Sequence, residues 1–523
     1  MPKPSHVRAL SAALLLTLPL TGCGGGDDKA GGREDDGGDR PADLAAQQLA
    51  WNDCEAPDAA QGGGSPPPAL PGGQKWQCAT LKVPLDHDEP DGDLIDLALI
   101  RAKASRASGR IGSLVFNFGG PGGSGVATLP AFAEDYANLR KRYDLVSFDP
   151  RGVGRSDPVL CFDDEQLNRA SQEDDGTPDD QKERDALLKG TKDFNAACEK
   201  NSGTVLPHVA TTDAARDMDL LRRNLGDDKL YYFGVSYGTE LGGVYAHLFP
   251  GKVGRAVFDA VVDPTEDLLQ GTLGQAKGFQ LALDNYARDC VTQEDDCPVG
   301  DSEQDVQRRI TALLDDLDAK PLPGSGGRVL TQTAATGGIA QALYSKDFWP
   351  YLTQGLEEAY DGQGTTLLAL ADSLDGRRPD GGYSNLAAAN TAINCADDKA
   401  RPTVGDVEEN LPAFRKASPV FGDYLAWSLI GCQDWAVPGA ADRPDVSAPG
   451  AAPVLVVGNT GDPATPYAGA RRMAEALGED VGVQITYRGE GHGAYASGSS
   501  CVDGAVEDYL LDGKVPKAGT VCS

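Results

Sequence analysis

Three residues in this chain carry groups that could cooperate in nucleophilic catalysis: Ser236, Asp462 and His492. Ser236 stands in Gly234-Val235-Ser236-Tyr237-Gly238, between the strand-like run Leu230 to Phe233 and an Ala/Leu/Gly-rich stretch with helical character. A side chain projected from a tight strand-to-helix turn needs neighbours without a Cβ on both sides. The pentapeptide alone is a weak signal. In a chain with 65 glycines among 523 residues, Gly-x-Ser-x-Gly arises by chance about half a time. Serine is also a poor nucleophile until a base takes its proton and a carboxylate orients that base, so the partners decide the reading.

The chain has five histidines. His6 lies in the N-terminal leader and His247 on the helix after Ser236. His87 in VPLDHDEP and His208 in VLPHVA precede the serine and read as packing or surface groups. His492 in RGEGHGAY follows the last long strand and is flanked by glycines that let an exposed loop bend. It is the candidate base. Asp462 in VLVVGNTGDPATP sits just past a strand's C-terminal end, where open α/β sheets place functional loops. Asp259 and Asp263, after the preceding strand, are rival acids. The order serine, aspartate, histidine is that of the α/β-hydrolase triad.

Acyl transfer also needs donors for the developing oxyanion, each worth about 3 kcal/mol. FNFGGPGGSG (116–125) follows a strand and supplies glycine N–H groups, of which Gly120 is the candidate; the second donor is the N–H of Tyr237, directly after the nucleophile. A phosphate loop is the competing reading, but the segment has no terminal Lys-Ser/Thr and no Gly-x-Gly-x-x-Gly. Asp149 and Arg151 in FDPRGVGRSDP read as loop-fixing residues.

These residues need elements to hold them. GSLVFNF, YDLVSFD, LYYFG and RAVFDAVVD are apolar runs with little alternation, as strands covered on both faces must be. They imply a mostly parallel sheet in an α/β domain over 51–264. Residues 265–440 carry amphipathic helical stretches such as QDVQRRITALLDDLDA and no parallel-strand series. Sheet character returns in 441–523 with APVLVVGN and VGVQITYRG around the helical PYAGARRMAEALG. The expectation is one sheet interrupted by a helical cap.

The first 23 residues have a basic start and an apolar core from Ala9 to Leu20, too short to anchor across a bilayer and consistent with a signal peptide. Its end, Leu20-Thr21-Gly22-Cys23, is lipobox-like, which makes Cys23 the expected lipidation site. Residues 24–50 are Gly/Asp-rich at their start and are expected to form a disordered tether. Setting Cys23 aside from the eleven cysteines leaves an even set: Cys54, Cys78, Cys161, Cys198, Cys290, Cys297, Cys395, Cys432, Cys501 and Cys522. An even count in an exported protein points to disulfides. Sequence leaves the connectivity open, though pairing in chain order closes five local loops. Few histidines and no Cys-x-x-Cys argue against zinc, and no cofactor is expected. A net charge of −32 opposes a nucleic-acid partner.

GGPGGSG, DPRGVGRSDP, GVSYGTELGGVYAHLFP, NTGDPATP and GEGHGAY, in this order and spacing, resemble the secreted tripeptidyl aminopeptidases of actinobacteria, relatives of the proline iminopeptidases among the α/β-hydrolases. The similarity spans about 50–523. It implies the α/β-hydrolase fold with a cap inserted before Asp462, a serine exopeptidase acting on peptides through an acyl-enzyme, and the triad Ser236, Asp462 and His492. Where proline iminopeptidases carry His before Gly-Gly-Pro-Gly, this chain has Phe118. An exopeptidase must measure from a free ammonium, which a carboxylate would hold; Glu240 on the helix after Ser236 and Asp397 in AINCADD are the named candidates. The protein is expected outside the cytoplasm, as a monomer, joined to the membrane only through lipid on Cys23 or released extracellularly. An ester hydrolase and a non-catalytic binding lipoprotein are the alternatives.

Overall fold

The computed structural model describes residues 43–106, 108–173, 175–293 and 297–523. The expected signal peptide, Cys23, His6 and most of the expected tether lie outside them. Twelve strands occur among the described residues: β1 (Asn52–Asp53), β2 (Gln77–Pro84), β3 (Leu94–Ala102), β4 (Gly112–Asn117), β5 (Tyr143–Phe148), β6 (Leu230–Val235), β7 (Val253–Asp259), β8 (Leu322–Pro323), β9 (Val329–Leu330), β10 (Val454–Gly461), β11 (Gly482–Glu490) and β12 (Thr520–Cys522). Ten form one sheet in the order β1-β2-β3-β5-β4-β6-β7-β10-β11-β12, while β8 and β9 pair separately. The pairings from β1 to β5 through β2 and β3 are antiparallel. Every pairing from β5 onward across the sheet is parallel.

The central strands are apolar because both faces are covered. All six residues of β4 and of β5 are buried. Side-chain alternation then builds two cores: Leu114 and Phe116 pack on one face with Phe233, Val257 and Leu455, and Val115 packs on the other with Val146, Tyr232 and Leu241. In the loop after β5, Arg151 is fully buried. Its Nε and Nη2 donate to the two carboxylate oxygens of Asp217, both at 2.7 Å, and Nη1 donates to the carbonyls of Leu85 and His208. Asp149 likewise accepts from Ser124 Oγ, Val126 N, Arg155 N and Gln61 Nε2. Both residues fix loops.

Between β7 and β10 the chain forms a series of helices, the longest being Leu268–Gln293 and Glu303–Ala319. They have their own core, with Tyr286, Leu314, Ile339, Leu356 and Leu367. The structure adds a second insertion that the reading of 51–264 as core does not anticipate. Helices Asp164–Glu173 and Gln181–Ser202 follow β5 and leave the sheet. Leu187 and Leu188 pack beside Phe414 and Trp427 of the later insertion, and Asn195 Nδ2 donates to the carbonyls of Gly431 and Gln433. The first of these helices buries no residue and the second buries only Asn195, Cys198 and Ser202.

A further correction concerns residues 43–50, placed by the sequence reading in the disordered tether. They dock on the core. Gln47 exchanges hydrogen bonds with Lys82, through Nε2 to the Lys82 carbonyl and from Lys82 N to Oε1. Its own N–H donates to Asn224 Oδ1, and Leu49 packs against the core. The Leu and Gln side chains of this stretch supply partners that the Gly/Asp-rich stretch before it lacks. The ten cysteines pair in chain order: Cys54 with Cys78, Cys161 with Cys198, Cys290 with Cys297, Cys395 with Cys432 and Cys501 with Cys522.

Replacing Arg151 by Leu leaves the Asp217 carboxylate buried without its cation, and breaking such a pair costs roughly 3–5 kcal/mol. Urea unfolding of Arg151→Leu should register a loss of that size; a loss below about 1 kcal/mol would contradict the role assigned to the pair.

Candidate active site

Strand β6 ends at Val235, and the helix Tyr237–Leu248 begins two residues later. Ser236 lies between them at φ 58° and ψ −128°, a backbone state that costs a non-glycine residue on the order of 1–3 kcal/mol. The flanking glycines are forced by space: a Cβ on Gly234 would lie 2.4 Å from the Gly238 carbonyl oxygen, and one on Gly238 would lie 2.4 Å from the Asn117 carbonyl oxygen. The turn is held by its neighbour strand, because Ser236 N donates to the Asp259 carbonyl at 3.1 Å.

The glycine loop after β4 lies directly on this turn. A Cβ on Gly119 would come within 2.7 Å of Ser236 Cβ and 3.1 Å of Tyr237 N. Gly119 N is engaged by Asn117 Oδ1, and Tyr237, as the first helical residue, has no acceptor for its N–H within the helix. Gly120 follows with φ 115°. The loop is pinned from above by the insertion: a Cβ on Gly122 would strike the Leu386 carbonyl at 2.7 Å, and Asn390 Nδ2 donates to the Pro121 carbonyl at 3.0 Å.

Asp462 and His492 come from the ends of β10 and β11. Asp462 is 1% exposed; its Oδ1 takes the N–H of Ala464 at 3.0 Å and of Thr465 at 2.9 Å. The same oxygen lies 2.9 Å from His492 Nδ1. The bond fixes the imidazole with Nε2 available. Burial pulls the His492 pKa down, but the Asp462 charge and hydrogen bond, joined by the Asp259 charge, outweigh it and leave the imidazole above its ordinary value. Both side-chain hydrogen bonds of His492 are made by Nδ1, to Asp462 and at 3.4 Å to Thr465. Ser236 makes no cap bond to its own helix. No hydrogen bond joins Ser236 to His492 among the described residues, a contact that commonly tightens when substrate arrives.

Two residues that sequence reasoning ranked low or missed hold this arrangement. Asp259, a rival acid in the sequence, does not face His492. Its carboxylate accepts the N–H of Ala260, Ala494 and Tyr495 at 2.9 to 3.0 Å, fixing the loop that carries the histidine. Tyr344, from the insertion, accepts His492 N at its carbonyl at 2.7 Å and sets its ring edge-on to the imidazole at 5.1 Å. No spacing signal marks a residue so far away in sequence. Asp263 pairs with Arg472 at 2.6 Å. The remaining described histidines have structural partners or lie in a turn: His87 binds Asp217 and His247 binds the Ser447 carbonyl, while His208 closes a short helix.

Of the two candidate ammonium anchors, Asp397 caps another helix, its Oδ1 accepting Thr211 N at 2.7 Å and its Oδ2 accepting Thr211 Oγ1 at 2.6 Å. Thr211 Oγ1 in turn meets Tyr237 OH at 2.6 Å. Burial pushes Asp397 up to about 7. Glu240, one turn into the helix after Ser236, is pushed up to about 8 by burial and by the Asp397 and Asp398 charges, with no hydrogen bond to relieve it. Two carboxyls crowded together beside Tyr237 favour a cation between them.

The fold and this site define an α/β-hydrolase of the serine type. Residues 418–522 match the family described as Abhydrolase_4, TAP-like protein. Serine protease Hip1 of Mycobacterium tuberculosis is 38% identical over 493 residues, covering 91% of each chain. Carboxylesterase B of the same organism is 36% identical over 540 residues, covering 100% of this chain and 98% of its own. Tripeptidyl aminopeptidase of Streptomyces lividans is 32% identical over 507 residues, covering 94% of this chain and 90% of its own. The chain belongs to the tripeptidyl aminopeptidase family of α/β-hydrolases, and it is a serine peptidase.

A base must be neutral to accept a proton, so the acid limb of kcat/KM is expected above the ordinary imidazole value of 6.5. Removing the nearby charge with Asp259→Asn should move that limb to lower pH while also lowering the plateau; a limb that stays in place would show that Asp259 does not act on His492.

Proposed function

We propose that this protein is an exopeptidase that releases short peptides, with tripeptides the favoured length, from free N-termini through an acyl-enzyme on Ser236. The observation that carries this reading is the bond from His492 to a fully buried Asp462 at the same sheet edge as the strained Ser236. His492 Nε2 takes the hydroxyl proton as Ser236 Oγ bonds to the scissile carbonyl, and Gly120 N–H and Tyr237 N–H receive the oxyanion. The imidazolium, stabilised by Asp462, then returns the proton to the leaving amine. Water repeats the sequence to release the peptide and restore the serine.

Glu240 is proposed to hold the substrate ammonium, with Asp397 reinforcing the negative field while it caps its helix. A carboxyl held near pH 8 by its surroundings gains ionisation when an ammonium arrives, which couples binding to a free terminus. Residues 265–440 act as the cap, joined in that role by the helices of 164–202. A leader ending in lipid-modified Cys23 is proposed to keep the enzyme at the outer face of the membrane, acting as a monomer. The similarity to Carboxylesterase B favours ester hydrolysis by the same triad as the second reading.

Ser236→Ala and His492→Ala should each lose nearly all turnover with unchanged folding, since the two act as a unit, and Asp462→Asn should be the milder lesion. Tripeptidyl amides with a free amine should be cleaved at least tenfold more efficiently than N-acetylated ones, about 1.4 kcal/mol, and Glu240→Gln should erase most of that preference. Equal rates on free and blocked peptides would exclude an amine anchor and move the reading to an endopeptidase or an esterase.

A further inference from the structure

A cavity among the described residues encloses about 1120 Å³, somewhat above the usual range for small-molecule sites of about 300–1,000 Å³. It lies between the two insertions, with walls from helices Asp164–Glu173, Gln181–Ser202, Thr365–Leu374 and Leu386–Asp397. Neither Ser236, Asp462 nor His492 lines it. The helix Leu386–Asp397 separates the two places. Its Ala387, Ala388 and Thr391 face the cavity, while Leu386, Ala389 and Asn390 on the opposite side press on Gly122 of the glycine loop. A helix with its side chains is about 10 Å thick, so a ligand here does not touch the nucleophile.

The lining is mainly apolar, from Phe162, Leu167, Leu187, Phe194 and Leu368. Its charges are mostly committed elsewhere. Arg328 Nη1 donates to both oxygens of Asp372 at 2.7 Å. Arg378 donates to the carbonyls of Ala59 and Tyr383 and pairs with Asp380 and Asp164. Asp58 pairs with Arg155 at 3.0 Å. Asp375 differs: it opens onto the cavity, and no hydrogen bond or cation among the described residues reaches its carboxylate. Asp375 keeps contact with solvent; the protein around it disfavours its charge and Asp372 repels it, against a weaker pull from Arg328, which pushes it up to about 6. An ammonium in the cavity can therefore pair with Asp375 without displacing another cation, while the apolar wall takes the body of the ligand.

We propose that this cavity is a second ligand site, distinct from the peptidase centre, which binds an apolar organic cation with its ammonium on Asp375 and its body against Phe162, Phe194 and Leu368. The inference stands apart from the assignment of the peptidase chemistry.

Dansylcadaverine, an aromatic sulfonamide with one primary ammonium on a five-carbon chain, is a suitable probe. Its fluorescence should rise saturably with the intact protein, and its N-acetylated form, which lacks the charge, should bind at least tenfold more weakly. Asp375→Asn should remove that preference. Ala170→Trp, on a helix that buries no residue and facing the cavity, should weaken both probes at least tenfold and supplies an independent arm if Asp375→Asn folds poorly. Fluorophosphonate treatment should leave binding unchanged. Equal affinity for the two probes, full preference retained in Asp375→Asn, unaltered binding by Ala170→Trp, or loss of binding after fluorophosphonate treatment would each overturn the proposal.

Discussion

Asp259 is the residue on which the geometry of the candidate site depends. It ends β7, the strand between β6 and β10 in the sheet. Through its carbonyl it receives the N–H of Ser236, and through its carboxylate it receives the N–H groups of Ala494 and Tyr495, just past His492. One residue thereby fixes two segments whose closure from an open chain carries a large entropic cost. The carboxylate is 3% exposed and fully supplied with donors, which is how a buried charge is tolerated. The same charge acts on the imidazole, so structure and electrostatics are joined at this position.

The insertion is part of the site as well as a cover for it. Tyr344 holds His492 by main chain and ring, Asn390 holds the glycine loop, and Asp397 caps the helix whose Thr211 meets Tyr237. Asn385, at the start of the helix Leu386–Asp397, fixes that helix to the core by donating to the carbonyls of Gly152 and Val159 and accepting Gly154 N. Elements that touch His492, the glycine loop and the turn at Ser236 in this way tie access to alignment. A cap that only shaded the cleft would need none of these bonds.

Much of this was legible in the sequence because it is local. The nucleophile turn needs glycine at 234 and 238 for reasons of space, and Gly-x-Ser-x-Gly reports that need directly. The apolar runs of β4, β5 and β6 report burial on both faces, and Asp462 and His492 are found by asking which loops follow strand ends. Long-range partnerships were not legible. Asp259 read as a rival acid because sequence cannot tell a carboxylate that accepts backbone N–H groups from one that faces an imidazole. Tyr344 carries no marker of its contact, and the apolar residues of the helices of 164–202, such as Leu187 and Leu188, do not say that they meet the later insertion. Residues 43–50 were grouped with a Gly/Asp-rich stretch whose composition they do not share.

The central claim is that Ser236 is the nucleophile and that His492 activates it. Fluorophosphonate labelling followed by mass mapping of the adduct tests it most directly, because the reagent reports serine nucleophilicity without assuming a substrate. The account predicts one adduct, on the peptide containing Ser236, formed by the native protein and nearly absent in His492→Ala. An adduct on a different serine, or labelling of His492→Ala at the native rate, would contradict it.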